Sequence, residues 1–181
     1  QIVSFLWALD VTDIFRIQVI RNDKGLETVG ISHCFVNAKG TEAYGQTFMN
    51  ESLSLRRLIL IAVSFFEAFS KEKIIVIDDF GQLLHPYVLT HIVEIFHAND
   101  MESQLIVVDC NPALLQKDLM RKDSIWFAEK GEESSTEFVS LSDFRGIKAK
   151  QSIYDGYLQG IFGALPIESD FCFQNKVKEN N

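Results

Sequence analysis

Two short apolar runs, Ile74–Ile77 (IIVI) and Leu105–Val108 (LIVV), constrain the fold of this chain most. Each is too short for a helix and rich in β-branched side chains. That is the pattern of strands buried on both faces of a parallel sheet. Between them Pro86 opens a helix reaching about Asn99, because proline is tolerated at a first helical position. Strand, helix and strand in that order predict a βαβ unit with a right-handed crossover.

The flanking segments extend this reading. Ser52 or Ser54 caps a helix running to about Phe69, with Leu55, Leu58, Ile59, Ala62, Phe66 and Phe69 on one side. A helix is predicted over Pro112–Met120 and a strand over Ser124–Glu129. Thr136–Leu141 pairs with that strand as a hairpin. Residues 142–171 form a covering segment anchored by Phe144, Tyr154, Tyr157 and Phe162. Upstream, residues 1–9 read as the end of a helix. Ile14–Ile20 alternates apolar and polar, and Thr28–Val36 and Ala43–Met49 follow it across the turns Arg21–Gly25 and Asn37–Gly40. The predicted fold class is α/β: a parallel-rich sheet with flanking helices plus an N-terminal antiparallel β portion. The predicted division is 1–50 (helix end and antiparallel portion), 51–171 (the α/β half) and a frayed tail 172–181.

Composition excludes several classes. With 181 residues, 47% apolar and 23% charged, the chain can bury a real core. A net charge of −8 argues against direct nucleic-acid binding by this segment. Cys34, Cys110 and Cys172 make no CxxC pair and no Cys/His ligand spacing. Zinc is therefore not indicated, and reduced thiols in a cytoplasm are expected. No apolar run approaches the roughly 20 residues that a membrane span needs. The chain opens on Gln1 and runs straight into apolar residues, which reads as a start inside an element: a fragment or a split gene product.

The candidate chemistry lies in IIVIDDFGQLLHP, residues 74–86. An apolar strand ending in Asp78 and Asp79 puts two carboxylates at the carboxyl edge of a parallel sheet, where open α/β sheets bind ligands. Asp78 is placed to hold Mg²⁺ through water, and Asp79 to orient an attacking water. On spacing alone, a nucleotide site and a structural cap fit these acids equally. Asp109, at the end of LIVV, reads as a turn residue before Pro112 or as a third member of an acidic pocket. His85 with Pro86 reads as a helix start rather than a ligand. His33, His91 and His97 show no partner pattern. Arg56 and Arg57 fit an exposed helix face as well as a phosphate or partner contact. Trp126 and Phe127 read as core.

These segments resemble the ABC-like AAA ATPases of bacterial abortive-infection and anti-phage systems. That family's pattern is close to IDEFGxSLHP, then QLIFTTHDTNLL, then RRDQIWFVEK, SLSDF and YLxGxYGAxP. Here IDDFGQLLHP stands at 77–86, QLIVVDCNPALL at 104–115, RKDSIWFAEK at 121–130, SLSDF at 140–144 and YLQGIFGALP at 157–166. ESLSLRRL at 51–58 is similar to the family's signature, of the type ESxGTRRL. The matches are colinear over roughly residues 45–167.

The resemblance implies an ATP- and Mg²⁺-dependent dimeric ATPase of the cytoplasm that controls a defence effector such as a nuclease. It implies Asp78 at the metal and Asp79 in place of the catalytic glutamate. It also implies Ser52, Ser54 and Cys110 near nucleotide. Four positions depart from the family pattern. Asp79 is one methylene shorter than glutamate and retracts the carboxylate by about an ångström, a displacement that can cost about 10²-fold. Leu83 replaces a serine in the loop that crosses the dimer interface. Cys110 replaces the histidine that senses the γ-phosphate, and a thiol is a weak donor. Ser54 replaces the signature glycine, where backbone N–H groups at a helix start meet the partner's γ-phosphate. No GxxxxGKS/T phosphate loop occurs in the chain, so a missing N-terminal segment would have to supply it. The expectation is a nucleotide-binding, dimerising switch, weak or inactive in hydrolysis alone. The alternative is a non-catalytic dimerisation or regulatory module. A receiver-like domain needs two βα units between its acidic strand ends, where only one helix fits. A metal-dependent nuclease would need a further acidic cluster.

Overall fold

Helix and strand patterning carry through to the backbone in most of the chain. The computed structural model describes residues 1–21, 23–99, 102–116, 119–131, 133, 135–145 and 152–166. Cys172, the tail 172–181 and parts of the covering segment (146–151 and 167–171) lie outside the described residues. The described residues fall into two compact units, one ending at Leu114 and one beginning at Leu115.

The first unit opens with helix α1 (Ile2–Ala8), then strands β1 (Ile14–Arg21), β2 (Glu27–Asn37) and β3 (Gly40–Thr47). They form an antiparallel meander in the order β1-β2-β3. Alternation dictates one buried face: Ile31 and His33, two apart on β2, both point inward. A 3-10 turn at Phe48–Asn50 leads into α2 (Leu53–Lys71), whose N-cap is Ser52. The Ser52 hydroxyl accepts the Leu55 N–H at 3.2 Å, satisfying one of the donors that a helix start leaves free. Next come β4 (Ile74–Ile77), α3 (Pro86–Ala98) and β5 (Gln104–Val107).

β4 and β5 pair in parallel, with Ile74 opposite Gln104 and Ile77 opposite Val107, as the βαβ reading requires. The core of this unit is aromatic. Phe65 is 1% exposed and meets Phe5 of α1 edge-on at 6.0 Å and Phe96 of α3 at 5.2 Å. Burying one such ring contributes about 1.5–3 kcal/mol. The buried stripe of α2 is Leu58, Ile59, Ile61, Ala62, Phe65 and Ala68, rotated slightly from the predicted one: Phe65, not Phe66, sits at its centre.

Three expectations change here. The parallel-rich sheet is a single pair among the described residues, and one of its faces is open: Ile74 is 64% and Val76 66% exposed. Two strands give that face no layer to pack on, and the opposite face, with Ile75, Ile77, Leu105 and Val107, is only half-buried. The helix expected over Pro112–Met120 is a short 3-10 turn at Pro112–Leu115, followed by residues 117 and 118, which lie outside the described residues. Asn111 uses its side-chain oxygen to accept the Ala113 N–H at 3.0 Å, a local turn that competes with a regular helix.

In the second unit, β6 (Trp126–Lys130) and β7 (Thr136–Ser140) form the expected antiparallel hairpin, with Trp126 opposite Ser140. A short helix, α4 (Ile153–Leu158), follows. Ile125, Phe127, Leu141 and Phe162 make the small core, with Phe144, Ile153 and Tyr157 packed against it. Phe127 stacks on Phe162 at 5.4 Å and on Tyr157 at 5.8 Å. Trp126 corrects the reading as core: it points to the opposite face of the hairpin and is 61% exposed. The mixed α/β class holds, with one small parallel and two antiparallel sheets among the described residues.

Candidate functional site

The carboxyl ends of β4 and β5 are joined by backbone hydrogen bonds beyond the regular ladder. Val108 N–H donates to the Ile77 carbonyl at 3.0 Å, and Phe80 N–H returns to the Val108 carbonyl at 3.1 Å. Asp78–Asp79 and Asp109–Cys110 therefore leave the sheet at one edge. Asp78 and Asp79 are both exposed. Among the described residues, the hydrogen bond formed by these carboxylates is to the chain itself, the Asp79 N–H reaching Asp78 Oδ1 at 3.0 Å. Asp79 holds a left-handed φ of +48°, sparsely populated for a non-glycine residue and more tolerated by aspartate than by most. The turn brings the chain back under the start of α2.

That return is fixed by two side chains one helical turn apart on α2. Ser54 Oγ donates to the Leu83 carbonyl at 2.8 Å. Arg57 Nη2 donates to the carbonyls of Asp78 and Asp79, each at 2.8 Å. Spacing i, i+3 puts both on one face of the helix. Ser54, expected beside a partner's nucleotide, thus also ties its own helix to the 79–84 loop. Arg57 orders the backbone that carries the two acids. Its Nε is buried without a hydrogen-bond partner among the described residues. Leu83 is 51% exposed and takes a left-handed φ of +65°.

Asp109 is spent internally. One carboxylate oxygen accepts the Asn111 N–H at 2.9 Å, and the other accepts the Gly81 N–H. A Cβ at Gly81 would stand 2.6 Å from Asp109 Oδ2 and 2.8 Å from Leu89 Cδ2, so these side chains would have to shift to admit one. Asp109 is therefore a turn residue that pins the acidic loop, not a third free carboxylate. No group of three or more His, Cys, Asp or Glu among the described residues is placed to hold a metal ion. His85 is the N-cap of α3, its Nδ1 accepting the Tyr87 N–H at 3.2 Å, which is the helix-start role. Cys110 is an exposed free thiol just past β5.

His33 corrects the reading that it lacks a partner. It is 3% exposed, with Nδ1 2.7 Å from Asp13 Oδ2 and Nε2 2.8 Å from Glu51 Oε1. Tyr44, opposite it on β3, stacks on the ring at 4.8 Å. Burial lowers the imidazole pKa, but the hydrogen bonds to Asp13 and Glu51 and their charges outweigh it. The net result is a pKa raised above its ordinary 6.5. One signal of this was present in the sequence. His33 shares the inward parity of Ile31, and a buried imidazole needs partners. Those partners lie 20 and 18 residues away, beyond any local pattern.

The comparisons with known proteins bear on fold. No protein-family profile matches the chain, and no curated protein matches it in sequence. Among solved structures, it is similar to a chain from the structural biochemistry of ATP-driven dimerization and DNA stimulated activation of SMC ATPases. The TM-score is 0.53 at 14% identity, over 77% of this chain and 82% of that one. At that identity the likeness is one of fold: a mixed α/β architecture shared with that chain.

Exposed Asp78, held at a strand end with carboxylate capacity to spare, suits water-mediated contact to a divalent cation. The cradle of backbone N–H groups and a lysine for the phosphates has no counterpart among the motifs of the sequence. No helix among the described residues is long and apolar enough to cross a membrane.

Proposed function

We propose that this chain is the metal-side half of an ATP-binding, ATPase-like module that acts as a nucleotide-dependent dimerising switch. The observation that supports it is the shared edge. Two exposed carboxylates at the end of a parallel strand sit on backbone clamped by Ser54 and Arg57 to the start of the signature-like helix. In this reading Asp78 contacts Mg²⁺ through water and Asp79 orients water. Cys110 stands where the γ-phosphate would be sensed, and Ser52 and Ser54 face the nucleotide of a second copy. A segment bearing a phosphate loop completes the site and covers the open face formed by Ile74 and Val76. Mg²⁺ bound there would neutralise phosphate charge, and Asp78 would hold it through water.

Hydrolysis is weak in this reading. The shorter Asp79 side chain and the thiol of Cys110 both reduce the polar reach available to an attacking water and a transferring phosphoryl group. A cytoplasmic homodimer that controls a nuclease effector in anti-phage defence follows from the family resemblance alone. A purely regulatory, non-catalytic dimerisation module is favoured by one further feature: exposed Leu83, at the family's polar crossing position, suits apolar contact better than phosphate chemistry.

The test combines this chain with a phosphate-loop segment and measures equilibrium binding of labelled ATP with and without Mg²⁺. Binding should need both, Asp78→Asn should remove the Mg²⁺ dependence, and turnover should be slow. A combined protein that binds no nucleotide would overturn the nucleotide reading. Turnover at ordinary rates that Asp79→Ala abolishes would overturn the weak-hydrolysis reading.

A further inference from the structure

The Asp13–His33–Glu51 cluster lies outside the chemistry above, yet it touches the same helix. Asp13 precedes β1, His33 is in β2, and Glu51 is the residue immediately before the N-cap Ser52. We propose that His33 is a positioning residue: a proton held between Asp13, His33 and Glu51 clamps the start of α2 to the antiparallel sheet. It thereby sets where the Ser52–Ser54 segment points.

The argument is one of donors and acceptors. A neutral imidazole has one N–H, but here both ring nitrogens face carboxylate oxygens at 2.7 and 2.8 Å. Either the ring is doubly protonated or one of the two acids keeps its proton. In both cases one proton bridges the trio, and the titration belongs to the cluster as a whole. Without that proton, a ring lone pair would face a carboxylate lone pair at a site where Glu51 and His33 side chains are each only 4% exposed. Repulsion is strong on the Glu51 side, where water cannot screen it, and weaker if the lone pair faces half-exposed Asp13. The groups set against the ring are Asp13 from the loop before β1, Glu51 from the loop before α2, and the Tyr44 phenol ring of β3. Helix α1 and the Phe48–Asn50 turn carry no titratable side chain. The position of the clamp matters because the residue next to Glu51 supplies the cap. Ser52 Oγ and its carbonyl accept the N–H groups of Leu55 and Arg56 at 3.2 and 3.0 Å, so a freed Glu51 loosens that first turn.

The sign follows from the raised pKa. A group whose folded-state pKa lies above its unfolded value stabilises fully below the unfolded value, here 6.5, and that contribution is lost as pH rises through the folded value. The clamp therefore holds at acid pH and opens as pH rises through the raised folded value. The inference rests on the reading of Ser52–Ser54 as a signature-like segment only for its consequence; the clamp itself is tested without nucleotide.

Hydrogen exchange of the 48–58 segment in the 181-residue chain, corrected for intrinsic pH dependence, is the measurement. Protection of the first α2 turn should fall by up to about tenfold per pH unit between the unfolded value of 6.5 and the folded midpoint, and level off above it. A nitrogen-15 titration of His33 should show the doubly protonated ring lost with the same midpoint. Glu51→Gln is the discriminating variant. Its amide can donate to a neutral Nε2, so both hydrogen bonds survive without the bridging proton, and protection should become flat across the same pH range. Asp13→Asn, on the half-exposed side of the ring, gives the second arm and should lower the midpoint. A wild-type profile flat in pH, or a Glu51→Gln profile with an unchanged midpoint, overturns the proposal. If the clamp behaves as described while no nucleotide binds to the combined protein, the clamp stands and only the nucleotide reading fails.

Discussion

The chain carries two clusters of acid residues next to the same helix, and they are built oppositely. Asp13 and Glu51 close on a buried His33, with every ring nitrogen matched to an oxygen. Asp78 and Asp79 stand exposed at a strand end, and the backbone beneath them, not their carboxylates, receives the Arg57 hydrogen bonds. Buried polar groups must be satisfied or they cost stability, so the first cluster spends its hydrogen-bonding capacity on the fold. The second keeps its carboxylates in reserve while the surrounding loop is held by Ser54, Arg57, Gly81 and Asp109. Charge that is supported but unspent is what the proposed binding edge requires, and charge that is spent is the mark of a joint.

This difference gives an order of mutational effects. The largest belongs to the joint. Glu51→Ala should destabilise the chain by about 3 kcal/mol, because it strips a buried partner from a charged ring; urea unfolding at pH 6 would measure it. A loss under about 1 kcal/mol would mean the cluster is not saturated as described. Gly81→Ala comes next, at about 1–3 kcal/mol, since the new methyl meets Asp109 and Leu89. Its cost should largely vanish in the Asp109→Ala background if the carboxylate is the obstacle, which a double-mutant cycle reads directly. The smallest effect belongs to the binding edge. Asp78→Asn together with Asp79→Asn should change stability by less than about 0.5 kcal/mol, the usual range for exposed positions. A loss of several kcal/mol would erase the distinction between the two clusters.

Much of the local architecture was legible because it depends on near neighbours. Alternation marked β1 and β2, the short β-branched runs marked β4 and β5, and serine and proline marked the starts of α2 and α3. The edge bearing Asp78 and Asp79 followed from those runs. Trp126 was misread because a two-stranded hairpin buries one face only, and pattern alone does not say which side of Phe127 meets the core. The Pro112–Met120 segment was misread because Asn111 and Asp109 divert the backbone into side-chain-capped turns.

The amino-acid order by itself determined which segments extend, which coil, and which acids end a strand, since those choices are made over a few residues. Only the tertiary structure decided that Arg57 serves the backbone of Asp78 and Asp79, that Asp109 is consumed by Gly81, and that His33 joins Asp13 to Glu51. The reason is range. These pairs lie some 18 to 28 residues apart, where no helical or strand period links them, and packing alone brings donor to acceptor.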